Sequence, residues 1–533
     1  MKINYVFFFL LISTAMFSQE DAWVYFNAKP NAQTYLDSPL LMLSQRALDR
    51  RTNQNIALNF SDVPLETTYI DQIKSSTGIT VMAQSKWLNA LHIRGTQVNI
   101  TALKNLTFVD KVVFANKSLN TTSKKVSETK IVQTNDKLKT TINYAYGTSA
   151  NQIQMLNGQV LHQQNYTGSG KIIAVLDAGF PNVNTAQPFQ NLISNNRILG
   201  GYDFVSRSTN FYAGDDHGTM VLSTMGGYKE NALIGTAPDA SYYLFITEND
   251  ASENPVEESL WVEAAEKADS LGVDIITTSL GYFAYDNANY SHTYSDMNGI
   301  TNFISRGAEI AFNKGIIVVA SEGNEGNQTE KHIGGPADAV SVITVGAVTA
   351  AKVRSSFSSI GPSYDGRIKP DVMAQGTAAV VSDTSGNIVT VNGTSFSCPI
   401  MAGMIACLWQ AFPTKTNQEI RNMVIQSSDK YLTPDNNYGY GIPNFSTTLG
   451  ITTFENKDFI VYPNPATSTI SFLFSNEIND ASVALYSVLG QKIAVKQITS
   501  QDSNLSVQNL KSGLYFYTFD AIGVHKTGKI IKQ

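Results

Sequence analysis

Short apolar runs alternate with longer amphipathic segments through the middle of the chain. One segment, Glu257–Leu271, has the apolar spacing of a helix. The runs that predict buried strands are Ile172–Leu176, Tyr242–Ile246, Asp274–Thr278, Ile316–Ala320 and Val342–Val345. This alternation predicts an α/β domain over residues 143–450, with a mostly parallel sheet flanked by helices. Functional residues of such sheets collect at the carboxyl ends of the strands, so polar residues that follow these runs are candidates for a site.

The first part of the chain has a different pattern, which predicts a small α+β domain over residues 19–142. Its polar stretch at 116–141, rich in Lys, Thr and Ser, predicts a linker. The predicted elements are the strands Trp23–Phe26, Ile79–Met82 and Val112–Phe114 and the helices Leu43–Arg51 and Thr67–Ser76. Arg50 and Arg51 fit the charged face of a helix, and a processing site at this pair is the alternative.

Residues 457–533 form a third pattern, which predicts a small all-β sandwich. A turn punctuated by Pro463 and Pro465 opens it. Alternating stretches with turn residues between them follow at Thr469–Phe474, Ser482–Tyr486 and Gly513–Phe519.

The start of the chain predicts export. Lys2 precedes the apolar run Val6–Ile12, and small residues follow, which is the layout of a secretory signal peptide over residues 1–18. This run is too short to cross a membrane, and no later apolar run reaches the roughly 18 residues that a transmembrane helix needs. We therefore expect a secreted protein without a transmembrane helix.

Composition narrows the classes further. The chain has 533 residues, 43% of them hydrophobic and 15% charged, which suits several packed domains and excludes a disordered protein. The net charge of −6 and the lack of a basic stripe argue against nucleic-acid binding. Cys398 and Cys407 are the only cysteines. On one helix they would lie on opposite faces about 13 Å apart, so no disulfide is expected.

Three segments carry candidate chemistry, although each has an ordinary structural explanation on its own. Asp177 ends a predicted strand and could cap a turn, His217 could begin a helix, and Ser395 could be a helix N-cap. An N-cap does not explain Pro399, which is unfavourable inside a helix. Together the three residues are the set that activates a serine hydroxyl, because an imidazole takes its proton and a carboxylate orients that imidazole.

The chain resembles the subtilisin-like serine peptidases, or subtilases, in the segments around Asp177, His217-Gly218-Thr219 and Gly393-Thr394-Ser395. The order Asp, His, Ser is the subtilisin order, whereas α/β-hydrolases place Ser first and carry G-x-S-x-G, which is not found around Ser395. The resemblance implies a triad of Asp177, His217 and Ser395. It also implies that the Asn324 side chain and the Ser395 backbone N–H bind the oxyanion.

The resemblance also implies where a peptide substrate lies. Ser279-Leu280-Gly281 and Ser321-Glu322-Gly323 would flank it as neighbouring strands. We hypothesise that Glu322 and Glu325 favour basic over acidic residues before the scissile bond, and two solvated surface acids are the alternative. The family usually has Ser or Thr where this chain has Ala178, and a pair of small apolar residues where it has Ser321-Glu322. These departures bear on specificity more than on activity.

Two further implications concern the flanking domains. In subtilases the N-terminal position is held by an inhibitory propeptide that is cut off. The C-terminal region resembles the sorting domains of proteins exported by the type IX secretion system, in Leu510–Tyr515 and Lys526–Lys529. The expected partner is then that secretion machinery, and a generic substrate-binding module is the alternative.

The combined expectation is a secreted serine endopeptidase made as a precursor. Its substrates would be proteins or peptides, and its chemistry would need no cofactor or metal. Structural calcium is common in the family, but no ligand array in this sequence assigns a site. The alternative from another class is a catalytically silent surface protein that uses the same fold for binding or adhesion.

Overall fold

A computed structural model describes residues 18–120, 143–449, 459–462, 466–474, 481–488, 490–499, 503–521 and 524–533. The predicted signal peptide, apart from Ser18, and the linker from residue 121 onward lie outside the described residues. The chain divides into two compact units, residues 1–448 and 449–533. Within the first unit we distinguish an N-terminal domain (19–120) and a central domain (143–448).

The N-terminal domain is a four-stranded antiparallel sheet with short helices. Its strand order is β2-β3-β1-β4. The elements are β1 (Gln19–Phe26), β2 (Ile79–Ser85), β3 (Ala90–Thr96), β4 (Val109–Phe114), α1 (Ala32–Asp37), α2 (Gln45–Asn53), α3 (Thr67–Lys74) and α4 (Gln97–Ala102).

Strand β3 was not predicted, because polar residues interrupt its apolar pattern. His92 is buried, and its Nε2 lies 3.0 Å from Asp21 Oδ1 on the neighbouring strand β1. Arg94 Nε donates to the same carboxylate at 3.1 Å. Arg94 and Asp21 therefore form an ion pair across the two strands, at positions where an apolar pattern would have indicated a buried strand.

The central domain contains eleven described strands and nine described helices. The strands are β5 (Ile172–Asp177), β6 (Ile198–Asp203), β7 (Tyr228–Lys229), β8 (Leu233–Ile234), β9 (Ser241–Ile246), β10 (Ile275–Thr278), β11 (Ile317–Ser321), β12 (Ile343–Val348), β13 (Val372–Gln375), β14 (Ala379–Ser382) and β15 (Ile388–Val391). The helices are α5 (Ala150–Gln154), α6 (Gln159–Gln163), α7 (Gln190–Ser194), α8 (His217–Gly226), α9 (Val256–Leu271), α10 (Phe303–Asn313), α11 (Thr394–Ala411), α12 (Asn417–Gln426) and α13 (Phe445–Thr448).

Seven of these strands form one parallel sheet in the order β13-β12-β11-β10-β5-β9-β6. The predicted parallel α/β architecture is confirmed. Two strands were missed: β6 contains Gly200 and Gly201, which weaken the strand signal, and β13 has only four residues. The five inner strands are almost wholly buried, and so is the short outer strand β13, whereas β6 is buried only at Asp203.

Helix α11 is the centre of the core. Seventeen of its 18 residues are buried, and it packs on β10, β11, β12 and β13. On such a helix each fully buried Leu, Ile or Met side chain contributes about 1.5–3 kcal/mol of transfer free energy. Helices α9 and α10 pack against each other and against β5 and β11 respectively. Helices on both faces explain why the sheet sequences are nearly continuous apolar runs.

The N-terminal domain packs on α9 and α10 and shares a core with the central domain. Trp23 stacks on Phe303 with 5.3 Å between the ring centroids, and its indole N–H donates to Ser259 Oγ at 2.8 Å. The carboxyl group of Glu266 on α9 accepts hydrogen bonds from Ser85 Oγ (2.7 Å) and from the backbone of residues 86 and 87.

Both interpretations of Arg50 and Arg51 are wrong, because these side chains are buried. Arg50 and Arg51 both pair with Asp269 at the end of α9. Arg51 also donates to Asp62 at 2.7 Å, and Lys314 of the central domain reaches the same carboxylate at 2.9 Å. The two arginines therefore belong to a buried ionic network that joins the two domains. A sequence pattern cannot reveal this, because the carboxylates come from distant segments.

The C-terminal unit is all β. Its strands are β16 (Phe459–Tyr462), β17 (Thr469–Phe474), β18 (Ala481–Ser487), β19 (Lys492–Ile498), β20 (Asn504–Ser506), β21 (Gly513–Ala521) and β22 (Val524–Lys532). They form two antiparallel sheets, in the orders β16-β17-β20 and β19-β18-β21-β22. Phe472 of one sheet contacts Tyr517 of the other at 5.5 Å between ring centroids, as in a sandwich.

Among the described helices, none is long and apolar enough to cross a membrane.

Candidate active site

Three candidate segments follow neighbouring strands of the parallel sheet. In the register of the sheet, Thr278 of β10 lies beside Leu176 of β5 and Ala320 of β11. Asp177 and Ser321 end their strands, and Ser279 comes directly after β10. Since parallel strands share their carboxyl edge, the polar residues at these positions lie along one edge of the sheet.

Asp177 is fully buried and bonded to His217. Its Oδ1 lies 2.7 Å from His217 Nδ1 and also accepts the Ala178 backbone N–H at 2.8 Å. Its Oδ2 is buried and makes no hydrogen bond to any described residue. The carboxylate therefore has the imidazole as its only side-chain partner in the described chain, and this bond orients the ring.

The electrostatic surroundings favour a charged His217. Burial alone would lower the pKa of His217, but the charge and the hydrogen bond of Asp177, with smaller effects of Asp215 and Asp216, raise it above the ordinary 6.5. The side chain is 27% exposed, so the ring remains accessible from solvent. An imidazolium that is stabilised by a buried carboxylate is suited to take up a proton and to release it.

A glycine permits the close approach of the two segments. His217 is the first residue of α8, and Gly218 follows it directly. A Cβ at Gly218 would lie 2.3 Å from the Gly179 carbonyl oxygen and 3.0 Å from Asp177 Cβ. Any larger residue at 218 would push the helix, and with it the imidazole, away from Asp177.

Ser395 lies in the first turn of α11 and is 8% exposed. Its Oγ donates to the Ser279 carbonyl oxygen at 3.4 Å. No hydrogen bond joins Ser395 Oγ to His217 within the described chain. The Phe396 ring contacts the imidazole at 5.9 Å between centroids, so the serine and the histidine face the same region.

Pro399 explains how this turn is held. A proline has no backbone N–H, so the carbonyl group of Ser395, four residues earlier, lacks its helical donor. The Ser279 hydroxyl donates to that carbonyl at 2.7 Å instead. The unfavourable proline therefore frees a carbonyl group that ties the start of α11 to the segment after β10.

Asn324 is exposed, and its side-chain oxygen is hydrogen-bonded to Thr394. Its Oδ1 accepts the Thr394 backbone N–H at 2.9 Å and the Thr394 hydroxyl at 3.0 Å. Its Nδ2 makes no hydrogen bond within the described part of the chain, so both N–H groups of the amide are available to a ligand. The sequence contains Thr394 beside Ser395, but its anchoring of Asn324 was not predicted.

The two predicted substrate-binding segments lie on this edge and differ in exposure. Ser279 is buried, Leu280 is half-buried and Gly281 is exposed, with nothing within 4 Å of the position a Cβ would take. Ser321 is buried, and Gly323 has a positive φ of 107°. The backbone of both segments therefore follows the edge, with open space at Gly281.

The hypothesis that Glu322 presents a charge to the substrate is wrong. Its side chain is fully buried, and Ser358 Oγ donates to its Oε2 at 2.9 Å. Burial raises the pKa of the Glu322 carboxyl well above its ordinary value, an effect that the Ser358 hydrogen bond and the charge of Arg354 only partly offset. The alternative of a solvated acid is equally wrong for Glu322, whereas Glu325 is exposed.

One group of described carboxylates has metal-ligand spacing. Ligand atoms of Glu248, Glu253 and Glu257 lie within 4.8 Å of one another. The Tyr282 hydroxyl donates to Glu248 at 2.6 Å, and Glu257 accepts the Asn254 and Asn249 backbone N–H groups. Two of the three carboxylates therefore accept hydrogen bonds from the described chain, and calcium stays unassigned.

Both cysteines are free thiols, as predicted. Both are fully buried, and burial raises the pKa of Cys398 to about 12 and raises that of Cys407 well above its ordinary value. Cys398 lies three residues from Ser395, but its Sγ donates to the Thr278 carbonyl at 3.4 Å. A protonated, buried thiol is not a competing nucleophile.

Comparison with protein families finds three successive matches along the chain. Residues 21–133 match a peptidase S8 propeptide domain of Bacteroidota. Residues 168–441 match the subtilase family, also described as peptidase S8. Residues 460–533 match a secretion system C-terminal sorting domain.

Two subtilisins agree with the family match. Subtilisin NAT of Bacillus subtilis subsp. natto is 32% identical over 295 residues, which cover 55% of this chain and 69% of the relative. A subtilisin of Bacillus pumilus is 32% identical over 295 residues, which cover 55% of this chain and 95% of the relative. A solved structure, of MycP1 from the ESX-1 type VII secretion system, is 22% identical with a TM-score of 0.45 and covers 58% of this chain and 88% of its own.

Proposed function

This chain belongs to the subtilase family of serine endopeptidases, and on that premise we propose that it cleaves proteins through an acyl-enzyme formed on Ser395. It is a secreted serine protease with a propeptide domain and a C-terminal sorting domain. In the proposed mechanism His217 is the general base and acid, Asp177 orients it, and Asn324 helps to bind the oxyanion. The alternative of a silent binding protein is set aside, because the family is one of peptidases.

The observation that carries the proposal is the buried bond between Asp177 and His217. With Nδ1 donating to Asp177 at 2.7 Å, the neutral ring has its lone pair on Nε2. That nitrogen accepts the proton of the attacking hydroxyl. As the proton arrives, the carboxylate stabilises the imidazolium, which is consistent with the raised pKa of His217.

Ser395 is proposed to turn from the Ser279 carbonyl towards His217 when substrate binds. Its hydrogen bond to the Ser279 carbonyl is long, at 3.4 Å, and is therefore weak. Catalytic hydrogen bonds of peptidases are often loose without substrate and tighten when substrate binds. A turn about the Cα–Cβ bond of Ser395 would exchange this bond for one to Nε2.

Charge that develops on the substrate oxygen is bound by two donors. One is the Ser395 backbone N–H in the first turn of α11, where helix N–H groups have no helical partner. The other is Asn324 Nδ2, which the two hydrogen bonds from Thr394 to Oδ1 orient. Donors that are held before the reaction need no reorganisation during it, which is the basis of their effect on kcat.

The proposed reaction has two stages, acylation of Ser395 and hydrolysis of the resulting ester. Ser395 Oγ attacks the carbonyl carbon while His217 takes its proton, and the tetrahedral oxyanion forms. His217 gives the proton to the leaving amine as the peptide bond breaks, which leaves an ester on Ser395. A water molecule, deprotonated by His217, attacks the ester, and His217 returns that proton to Ser395 Oγ as the ester bond breaks, which releases the carboxylic acid product. No cofactor or metal takes part in these steps.

Substrate is proposed to bind as an added strand between Ser279–Gly281 and Ser321–Gly323. Backbone hydrogen bonds would give affinity independent of sequence, and side-chain pockets would give preference. The open space at Gly281 leaves room for a substrate backbone to approach. Glu322 contributes no charge to this preference, because its carboxyl group is buried.

The N-terminal domain is proposed to act as an inhibitory propeptide that is removed by cleavage within residues 121–142. Its docking on α9 and α10 leaves that segment as its covalent connection to the central domain. The C-terminal unit is proposed to direct export through the type IX machinery. A reporter fused to residues 457–533 should be exported by a competent host, and its retention in the periplasm would refute that part.

The catalytic proposal is tested by replacing the nucleophile. Purified wild-type chain and the Ser395→Ala variant are incubated with casein, and casein cleavage and precursor size are followed. The wild type should shorten its own precursor and cleave casein, and the variant should do neither. The loss of kcat should approach the roughly 10⁶-fold known for the corresponding serine of subtilisin itself.

A matched control lies two residues further along. Ser397 is buried in the same turn, and its hydroxyl donates to the Thr394 carbonyl at 3.0 Å. The Ser397→Ala variant should keep casein cleavage within about tenfold of the wild type, because only a buried hydrogen bond of modest energy is lost. Casein cleavage by the folded Ser395→Ala variant would refute the proposed nucleophile.

A further inference from the structure

The loop that carries Asn324 is hydrogen-bonded to the short segment Phe357–Ser359. The Ser359 N–H donates to the Gly323 carbonyl at 3.0 Å, and Ser359 Oγ accepts the Glu325 N–H at 3.0 Å. The Gly326 N–H donates to the Phe357 carbonyl at 2.8 Å. The backbone on both sides of Asn324 is thereby fixed to this segment.

The approach of the two segments is very close. A Cβ at Gly326 would lie 2.1 Å from the Ser358 carbonyl oxygen, and a Cβ at Gly323 would lie 2.9 Å from Ser359 Oγ. Gly323 also has a φ of 107°, which other residues rarely adopt. The loop therefore has little freedom as long as residues 357–359 stay in place.

Glu322 is the buried group that fixes that segment. Ser358 Oγ donates to Glu322 Oε2 and accepts the Ala347 N–H, both at 2.9 Å. The Ser358 side chain therefore joins the carboxyl group to strand β12. The Glu322 backbone N–H also donates to the Val345 carbonyl of β12, at 3.1 Å.

The Glu322 carboxyl group is closely packed against strand β12. At Gly346 of β12, a Cβ would lie 2.5 Å from Glu322 Oε2. Glu322 Oε1 is buried and makes no hydrogen bond to the residues the structure describes. A fully buried carboxyl group with one unpartnered oxygen is costly to keep, so a site that keeps it is a candidate for a specific task.

We infer that Glu322 is a positioning residue that acts through Asn324, by holding Ser358 and with it the backbone of the loop 323–326. The inference rests on the oxyanion role proposed for Asn324. Residues 322 and 324 are adjacent to the same glycine, so a shift of segment 357–359 moves the Asn324 amide directly. A displacement of about 1 Å at a catalytic group is enough to lower kcat substantially.

The test compares Glu322→Ala, Glu322→Gln and Ser358→Ala in the full chain, processed in trans by tagged wild-type enzyme that is then removed. Glu322→Ala and Ser358→Ala should each lower kcat about tenfold and leave KM within about twofold, because an oxyanion donor acts in the transition state. Glu322→Gln keeps an acceptor for Ser358 and should retain kcat within about threefold.

A double-mutant cycle shows whether the effect passes through Asn324. Glu322→Ala should lower kcat in the wild-type background and have no further effect in an Asn324→Ala background. Equal loss in both backgrounds would overturn this inference and leave the oxyanion role of Asn324 intact. An Asn324→Ala variant with undiminished kcat would overturn both.

A matched control separates positioning from general stability. Asp338 is also fully buried and accepts a serine hydroxyl, that of Ser305, together with the Gly299 N–H. Asp338→Ala should lower the melting temperature as Glu322→Ala does, with kcat per folded molecule unchanged. If Glu322→Ala lowers only the melting temperature, or if Asp338→Ala lowers kcat equally, the positioning role is refuted.

Discussion

The two ends of the parallel sheet use buried carboxylates in opposite ways. At the carboxyl end, Asp177 has one side-chain partner among the described residues, the imidazole of His217, which is partly exposed. At the amino ends of β10 and β11, Asp269 pairs with both Arg50 and Arg51, and all three side chains are buried. At the carboxyl end the Asp177 carboxylate has a single titratable partner. At the amino end the Asp269 carboxylate is paired with two guanidinium groups.

The two arrangements suit different tasks. A guanidinium group keeps its charge at all ordinary pH values, so the Asp269 network holds the N-terminal domain and cannot exchange protons. An imidazole beside a carboxylate can change its charge near neutral pH. A buried carboxylate paired with arginine stabilises a docked domain, whereas a buried carboxylate paired with histidine supports proton transfer.

The largest effect is expected at the carboxyl end. Asp177→Asn should lower kcat about 10⁴-fold, because the amide no longer favours the tautomer with its lone pair on Nε2. Steady-state kinetics on a peptide substrate measure this loss, and circular dichroism should show an unchanged fold. A loss of less than about tenfold would mean that the bond between Asp177 and His217 is structural only.

The next effect is expected at the amino end. Arg51→Ala should destabilise the intact chain by about 3–5 kcal/mol, because it leaves Asp62 and Asp269 with less compensation in a buried site. Urea unfolding in the Ser395→Ala background, in which the precursor should stay whole, measures this free energy. Arg46 is the control: its side chain is 41% exposed, and its buried partner Asp274 keeps the Ile172 N–H and Lys171 without it, so Arg46→Ala should cost about 1 kcal/mol. Equal costs would show that burial of the network is unimportant.

The smallest effect concerns pH at the domain interface. Burial raises the pKa of Glu266 from 4.5 to about 7, against the opposing influence of Lys86 and the hydrogen bonds from Ser85 and the backbone. Between pH 4.5 and about pH 7, Glu266 therefore keeps its proton in the folded chain and loses it in the unfolded chain. Stability from this group is complete below pH 4.5 and is lost as the pH rises to about 7.

A comparison of melting temperatures at pH 5 and pH 7.5 measures that dependence in the Ser395→Ala background. Glu266→Gln cannot titrate, so it should flatten the decline over this range relative to its parent. An identical decline in both proteins would assign the pH dependence to other groups.

The sequence predicts the inner strands and the set of polar residues at their ends, because buried parallel strands are apolar runs that end in a clear change of polarity. It predicts β6, β13 and β3 poorly, since glycines, short length or buried ion pairs obscure the pattern. In the site, too, the sequence predicts the part that a motif marks. The residue types of Asp177 and His217 and their order predict that they pair, and the structure places His217 Nδ1 2.7 Å from Asp177 Oδ1.

Contacts between distant segments that no motif marks could not be predicted. Thr394 as the anchor of Asn324, Ser279 as the donor to the Ser395 carbonyl, and Ser358 as the partner of Glu322 all depend on which surfaces the fold brings together. Glu322 illustrates the error that results. In the sequence it is an acid in a turn beside Gly323, and only the folded chain shows that it points into the core.

The most direct test of the account is the rate at which a fluorophosphonate probe labels the processed enzyme as a function of pH, with the labelled residue identified by mass spectrometry. The probe should modify Ser395 alone. Its rate should fall as the pH drops through a midpoint above 6.5, because a neutral His217 is needed and Asp177 raises the pKa of that histidine. Labelling of another residue, or a rate on Ser395 that does not change between pH 5 and pH 8, would contradict the account.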